Sequence, residues 1–162
     1  MEKENKNQEQ SKPEEKKSRK QEEKPKKTTA IVNATDLRIS TKYSTAICKM
    51  IRNHKIENAV KMLEQVLSFK RPVKTNKMEV GHKSGRGIMA GKYPINAVKE
   101  FIRLLKQLQA NAIANELEIE NYGIFCKADQ ASRPYRRRGM RFKRTHVTLK
   151  LMPIKKKGER KK

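Results

Sequence analysis

Acid is the first thing this chain is short of. Seventeen Asp and Glu residues stand against 41 Lys and Arg in 162 residues, giving a formal charge of +24 and a pI near 10.3. A field of one sign that strong implies a polyanionic partner, either nucleic acid or an anionic membrane surface. Long apolar runs are also missing. None approaches the length that spans a bilayer, and no signal-peptide pattern precedes the first apolar segment, so the cytosol is the expected compartment. There are only two cysteines, Cys48 and Cys126, too few and too far apart for a disulfide scaffold. Both lie in apolar-patterned segments, which predicts buried free thiols.

Catalytic groupings are scarce as well. The sequence holds no close Cys pair or Cys/His cluster for zinc, no Ser-His-Asp or Cys-His signature, and no paired acidic motif in a glycine-rich setting. Between residues 70 and 162 the acidic groups are mostly Glu100, Glu116, Glu118 and Glu120, so the basic regions hold almost no general base. His54 sits alone at a break between two helical patterns and reads as structural. The run Gly81 to Gly87 looks like a phosphate loop but lacks the Gly-Lys-Ser/Thr ending, which excludes a nucleoside triphosphatase. The expectation is a protein that is not an enzyme and takes no cofactor or metal.

What is present is organised around the last third. Ile119 to Ala128 and Thr145 to Leu151 alternate with period two and are rich in β-branched and aromatic residues, the pattern of half-buried strands. Between them Arg133, Arg136, Arg137, Arg138, Arg141, Lys143 and Arg144 make seven basic residues with no acid, and Pro134 and Gly139 can turn the chain. This predicts a long β-hairpin over 118–152 whose distal half is a cationic finger. Seven like charges on a two-stranded ribbon repel one another, and an isolated hairpin is marginal in water, so the finger needs a polyanion. Arginine forks match phosphate oxygens and arginine planes stack on bases. Tyr135, Met140 and Phe142, interleaved with the arginines, favour nucleotide surfaces over a merely solvated loop.

The remaining chain supports that arm. Residues 1–29 are Lys/Glu/Gln-rich and are predicted to be a disordered charged extension. Ile31 to Ile39 reads as a strand, followed by helices over about 42–52, with Ser40 or Thr41 as N-cap, and about 56–68. Lys42 lies off the apolar stripe of the first helix. Residues 70–93 read as a long basic loop with four glycines, in which His82, Lys83, Arg86, Lys92 and Tyr93 are candidates to approach phosphates. Pro94 opens a core helix to about Asn115, with a stripe through Ile95, Val98, Ile102, Leu105, Leu108, Ala112 and Ile113. Beyond Pro153, residues 154–162 form a basic tail. The predicted fold is α+β: a small three-stranded antiparallel sheet with three helices on one face and a protruding hairpin, all within residues 30–153. Charge is polarised along it, with +6 over residues 70–92 and +13 over residues 133–162.

Several stretches, in this order, resemble the universal L-twenty-two family of large-subunit ribosomal proteins, of the archaeal and eukaryotic type. They are Leu37 to Lys42, Lys55 to Leu63, Val80 to Lys83 with Gly91 to Pro94, Phe101 to Asn115, and Lys143 to Leu149. The resemblance covers roughly Ile31 to Pro153. It implies an α+β domain with a projecting hairpin that binds large-subunit ribosomal RNA, aids its assembly and lines the nascent-peptide exit tunnel. It also implies neighbouring ribosomal proteins as partners, the nascent polypeptide at the hairpin tip, no membrane span and no homo-oligomer. RNA contact is carried onto Arg133, Tyr135, Arg136, Arg137, Arg138, Arg141, Lys143, Arg144 and His146, and onto Lys42, His82, Lys83, Arg86, Lys92 and Tyr93. Two departures are Thr41-Lys42-Tyr43 at the helix start and a short spacing from Gly139 to His146, which implies a clipped finger. The rival from another class is a free nucleic-acid chaperone or DNA-compacting protein.

Overall fold

In the computed structural model the described residues are 29–75, 83–85 and 88–154. The charged extension expected over 1–29 (apart from Thr29), the tail from Lys155 onward, and His82 and Arg86 lie outside them.

The order of elements is β1 (Ile31–Leu37), α1 (Thr41–Ile51), α2 (Ile56–Leu67), β2 (Val73–Lys74), β3 (Lys83–Gly85), β4 (Ile88–Lys92), α3 (Ile95–Ala114), β5 (Tyr122–Gln130) and β6 (Thr145–Pro153). The main sheet has the order β1-β6-β5, and both pairings are antiparallel. Its central strand, β6, shows why it is there. Thr145, Val147, Leu149 and Leu151 are buried, while His146, Thr148 and Lys150 between them are only half-covered. Period-two alternation has therefore become one wet face and one packed face. Helices α1 and α3 lie on the packed face, and α2 packs on α3. Phe101, Leu105 and Leu108 of α3 meet Ile47 and Ile51 of α1, Leu63 of α2, and Ile124, Leu149 and Leu151 of the sheet in one core.

Each helix stops in the same way. Asn53, Phe69 and Glu116 take positive φ values of 65°, 58° and 55° just past α1, α2 and α3. After α3, the Leu117 amide donates to Ala112 O and the Glu116 amide to Ile113 O, the paired closure that satisfies the last carbonyls. After α1 the partners come from the sheet instead. Asn53 N donates to Ile124 O at 2.9 Å and Ile124 N to His54 O at 3.0 Å, so His54 acts through its backbone as a structural residue. A Cβ on Gly123 would make ordinary contact with the Asn53 backbone at 3.6 Å and a tighter one, 3.3 Å, with the Ile154 side chain.

Four expectations are corrected. The basic stretch expected to be a loop holds a second antiparallel sheet, β2-β4-β3, anchored by fully buried Val73. Its strands are two to five residues long, too short for any periodicity to register. Cys48 and Cys126 are not free thiols: they form a disulfide with a Cα–Cα distance of 5.2 Å. Packing α1 across β5 brings together residues 78 apart in sequence. Ile113, assigned to the α3 stripe, is 63% exposed, because it lies about 100° of helix rotation past Ala112 and so off the face of Leu105, Leu108 and Ala112 that the core covers. Ser40 is the N-cap of α1, one of the two residues expected there, and its carbonyl, rather than its side chain, does the capping, accepting from both the Ser44 amide and the Ser44 hydroxyl. The start of the hairpin also shifts, since Ile119–Asn121 form a single tight turn before β5 begins.

Candidate nucleic-acid interface

Strands β5 and β6 pair along their whole length, from Tyr122↔Pro153 to Gln130↔Thr145. The chain then leaves the sheet as a fourteen-residue finger, 131–144, rooted by an Ala131 N to Arg144 O hydrogen bond of 3.2 Å. The finger is itself a small ribbon. Tyr135 and Arg141 face each other as an isolated antiparallel bridge, with Phe142 N donating to Pro134 O and Arg136 N to Met140 O. The reversal falls on Arg138 (φ 60°) and Gly139 (φ 72°). A left-handed arginine costs about 1 kcal/mol, whereas the glycine adopts that backbone freely.

Aromatic side chains give this ribbon its frame. The Arg136 guanidinium lies 3.9 Å from the Phe142 ring centroid, and that of Arg141 lies 4.5 Å from Tyr135. Arg141 also donates to the Tyr135 hydroxyl at 2.6 Å. Each stack contributes about 0.5–1 kcal/mol at an exposed site, which offsets part of the repulsion that the sequence predicts. The finger is therefore partly preorganised, with the guanidinium planes of Arg136 and Arg141 already oriented. Arg133, Arg136, Arg137, Arg138, Arg141 and Lys143 are all exposed, as are Tyr135 (70%) and Met140 (62%).

Arg144 and His146, also assigned to RNA, are hydrogen-bonded across to β1. Arg144 Nη1 donates to Asp36 O at 2.7 Å, and His146 Nδ1 accepts the Asp36 amide at 3.3 Å. Asp36 sits at a bulge in β1 with φ 54°, where the ladder to β6 slips between Ala34 and Leu37. Arg144 and His146 thus hold a strained stretch of the edge strand against the root of the finger. The acceptor bond at Nδ1 leaves the His146 proton on Nε2 in the neutral ring. No signal in the sequence could have shown this clamp, because Asp36 and His146 are 110 residues apart.

Buried Thr145 completes the root. Its hydroxyl donates to Ile39 O at 2.9 Å, so the 3.0 Å contact with the Thr41 hydroxyl must have Thr41 as donor. This ties the start of α1 to the finger and brings exposed Lys42, one residue on, to the same end of the domain. Lys92 and Tyr93 lie away from that clasp, at the end of β4 and before α3, where Tyr93 stacks edge-on with Phe69 at 5.2 Å. Lys83 is placed by the backbone of β3 alone. Among the described residues no group of three or more His, Cys, Asp or Glu could hold a metal, and no helix is long and apolar enough to cross a membrane.

Fold and finger together define a class: a basic α+β domain whose three-stranded sheet extends two of its strands into a cationic hairpin arm. A sequence model of the family described as ribosomal protein L22p/L17e matches residues 32–151, and the chain belongs to that family. The proteins called large ribosomal subunit protein uL22 from Archaeoglobus fulgidus and Methanosphaera stadtmanae are each 38% identical to it. The first match spans 115 residues, 68% of this chain and 74% of the relative; the second spans 102 residues, 60% and 66%. That of Methanocella arvoryzae is 37% identical over 109 residues, 65% and 71% of the two chains. The chain is accordingly a structural, non-enzymatic protein of the large ribosomal subunit.

Proposed function

We propose that the protein binds large-subunit ribosomal RNA through its finger and the adjoining end of α1, helps that RNA to fold, and lines the nascent-peptide exit tunnel with the finger tip. One observation carries the reading. The finger leaves the main sheet where the pairing of two nine-residue core strands ends, and it exposes six basic residues with no acidic one among them, two of them with guanidinium planes set by aromatic rings. Such an arm reaches into a crevice between RNA segments rather than lying on a surface. Arg137 and Arg138 at the reversal meet phosphates. Tyr135 and Met140 offer apolar surface to bases, or to a passing polypeptide where the tip emerges. Binding reads shape and phosphate placement, not base sequence, and neighbouring ribosomal proteins share the site. The cytoplasm, where ribosomes translate, is the compartment this implies.

Each phosphate neutralised adds about 0.7–0.9 to the slope of log affinity against log salt. Replacing Arg136, Arg137 and Arg138 together by Ala is therefore expected to flatten that slope by about 2–3 on large-subunit rRNA while the fold is retained. An unchanged slope would remove the finger from the interface. A free chaperone or DNA-compacting protein would use the same charge without a fixed seat. Sedimentation of lysate at moderate salt separates the two, since a subunit protein travels with the large-subunit peak.

A further inference from the structure

The face of α1 turned away from the core carries Lys42, Thr45 and Lys49, all exposed, while Arg52, just past the helix, is drawn onto β5 by its hydrogen bond to Cys126 O at 2.9 Å. Offsets of three and seven residues stack Lys42, Thr45 and Lys49 along one side of the helix. Lys42 lies beside the finger root, as the Thr41–Thr145 bond requires. Lys49, about 10 Å further along the axis, opens on a groove of about 330 Å³. The groove lies between α1, β2 and β4 and is lined by Lys49, Arg71 and Lys74 together with Met50, Pro72 and Ile88. None of the described residues lining it is acidic. Its volume is within the range of clefts that hold a small molecule.

Three cations around an apolar floor combine two requirements that one ligand meets together. A phosphate needs the cations, and a flat apolar ring suits Met50, Pro72 and Ile88. An acidic peptide would satisfy the charge and leave the floor uncovered. The same face of α1 leads from Lys42 at the finger root, past the neutral Thr45, to Lys49 at the groove, with no acidic residue on the way, so one polyanion can follow it. Resting on the reading of the finger as an RNA arm, we propose that this groove seats a single unpaired nucleotide of the same ribosomal RNA. Its phosphate lies among Lys49, Arg71 and Lys74, and its base lies on the apolar floor. A base already out of a helix is the one accepted, because unstacking a paired base adds a cost that this open groove does not repay.

The test uses the full-length protein on deproteinised large-subunit rRNA, with 2′-hydroxyl acylation reporting protection nucleotide by nucleotide. Lys49→Glu/Lys74→Glu reverses two exposed charges and leaves the core untouched, and Met50→Glu places a carboxylate on the floor. Both are expected to lose protection at one unpaired nucleotide, keep the protections that depend on Arg136 to Arg138, and weaken binding roughly tenfold at fixed salt. The triple finger variant is expected to show the opposite pattern. If the charge-reversed protein protects every nucleotide that the wild type protects, or loses all protections to the same degree, the nucleotide seat is overturned. If instead the triple finger variant keeps the wild-type footprint, the finger reading fails, and the groove is still judged by its own nucleotide.

Discussion

The two ends of the same hairpin are built on opposite terms. Near the core, Leu149 lies between Val32 and Cys126 in the sheet register, and all three are buried. At the far end Tyr135 and Met140 are mostly exposed, and the contacts are arginines stacked on rings. Burial holds the root, so its order is independent of salt and partner. Cation–π stacking and a few backbone bonds hold the finger, with most of its charge left for another molecule. The division suits a docking arm: a stem stiff enough to set direction, and a tip loose enough to be finished by what it binds.

Four experiments would sharpen or break that contrast. Leu149→Ala removes a fully buried side chain from the central strand and should cost about 2–5 kcal/mol, read from urea unfolding. A loss under 1 kcal/mol would mean the root is not the stable half. Reducing the Cys48–Cys126 disulfide releases a cross-link over 78 residues and should cost about 2–4 kcal/mol. Alkylation in denaturant should label no thiol before reduction and two afterwards; label without reductant would refute the bond. Thr145→Val keeps the shape but leaves the buried Ile39 carbonyl without its donor. It should cost about 1–3 kcal/mol, and a neutral result would detach the α1 clasp from the stability of the root. Smallest of all, Phe142→Ala removes the ring under Arg136 and should cost under about 1 kcal/mol globally. Its main effect should be faster amide exchange at Arg136 and Phe142, while exchange along β5 and β6 is unchanged.

The long α3 stripe, the α1 and α2 faces and the alternation of β6 were all legible, because each follows one local period that burial enforces. Ile113 misled because the apolar stripe is wider than the buried one: one residue past Ala112, it falls outside the arc the core covers. The finger was legible as charge interleaved with rings, yet its self-stacking was not, because which ring an arginine covers depends on the turn at Arg138 and Gly139. Arg144 and His146 read as RNA contacts, and that the fold also ties both to Asp36 was not legible. The small sheet over residues 73–92 escaped because strands of two to five residues carry no period.

By itself the sequence determined the polarity of charge, the α+β succession and the position of the arm, since these depend on residues near one another in the chain. Only the tertiary structure decided how the arm is anchored. The Cys48–Cys126 bond, the Thr41–Thr145–Ile39 clasp and the hold on Asp36 join residues that meet solely because α1 and β1 pack beside the hairpin. Long-range pairs of this kind depend on how separate elements are packed, and no local pattern in a chain encodes that.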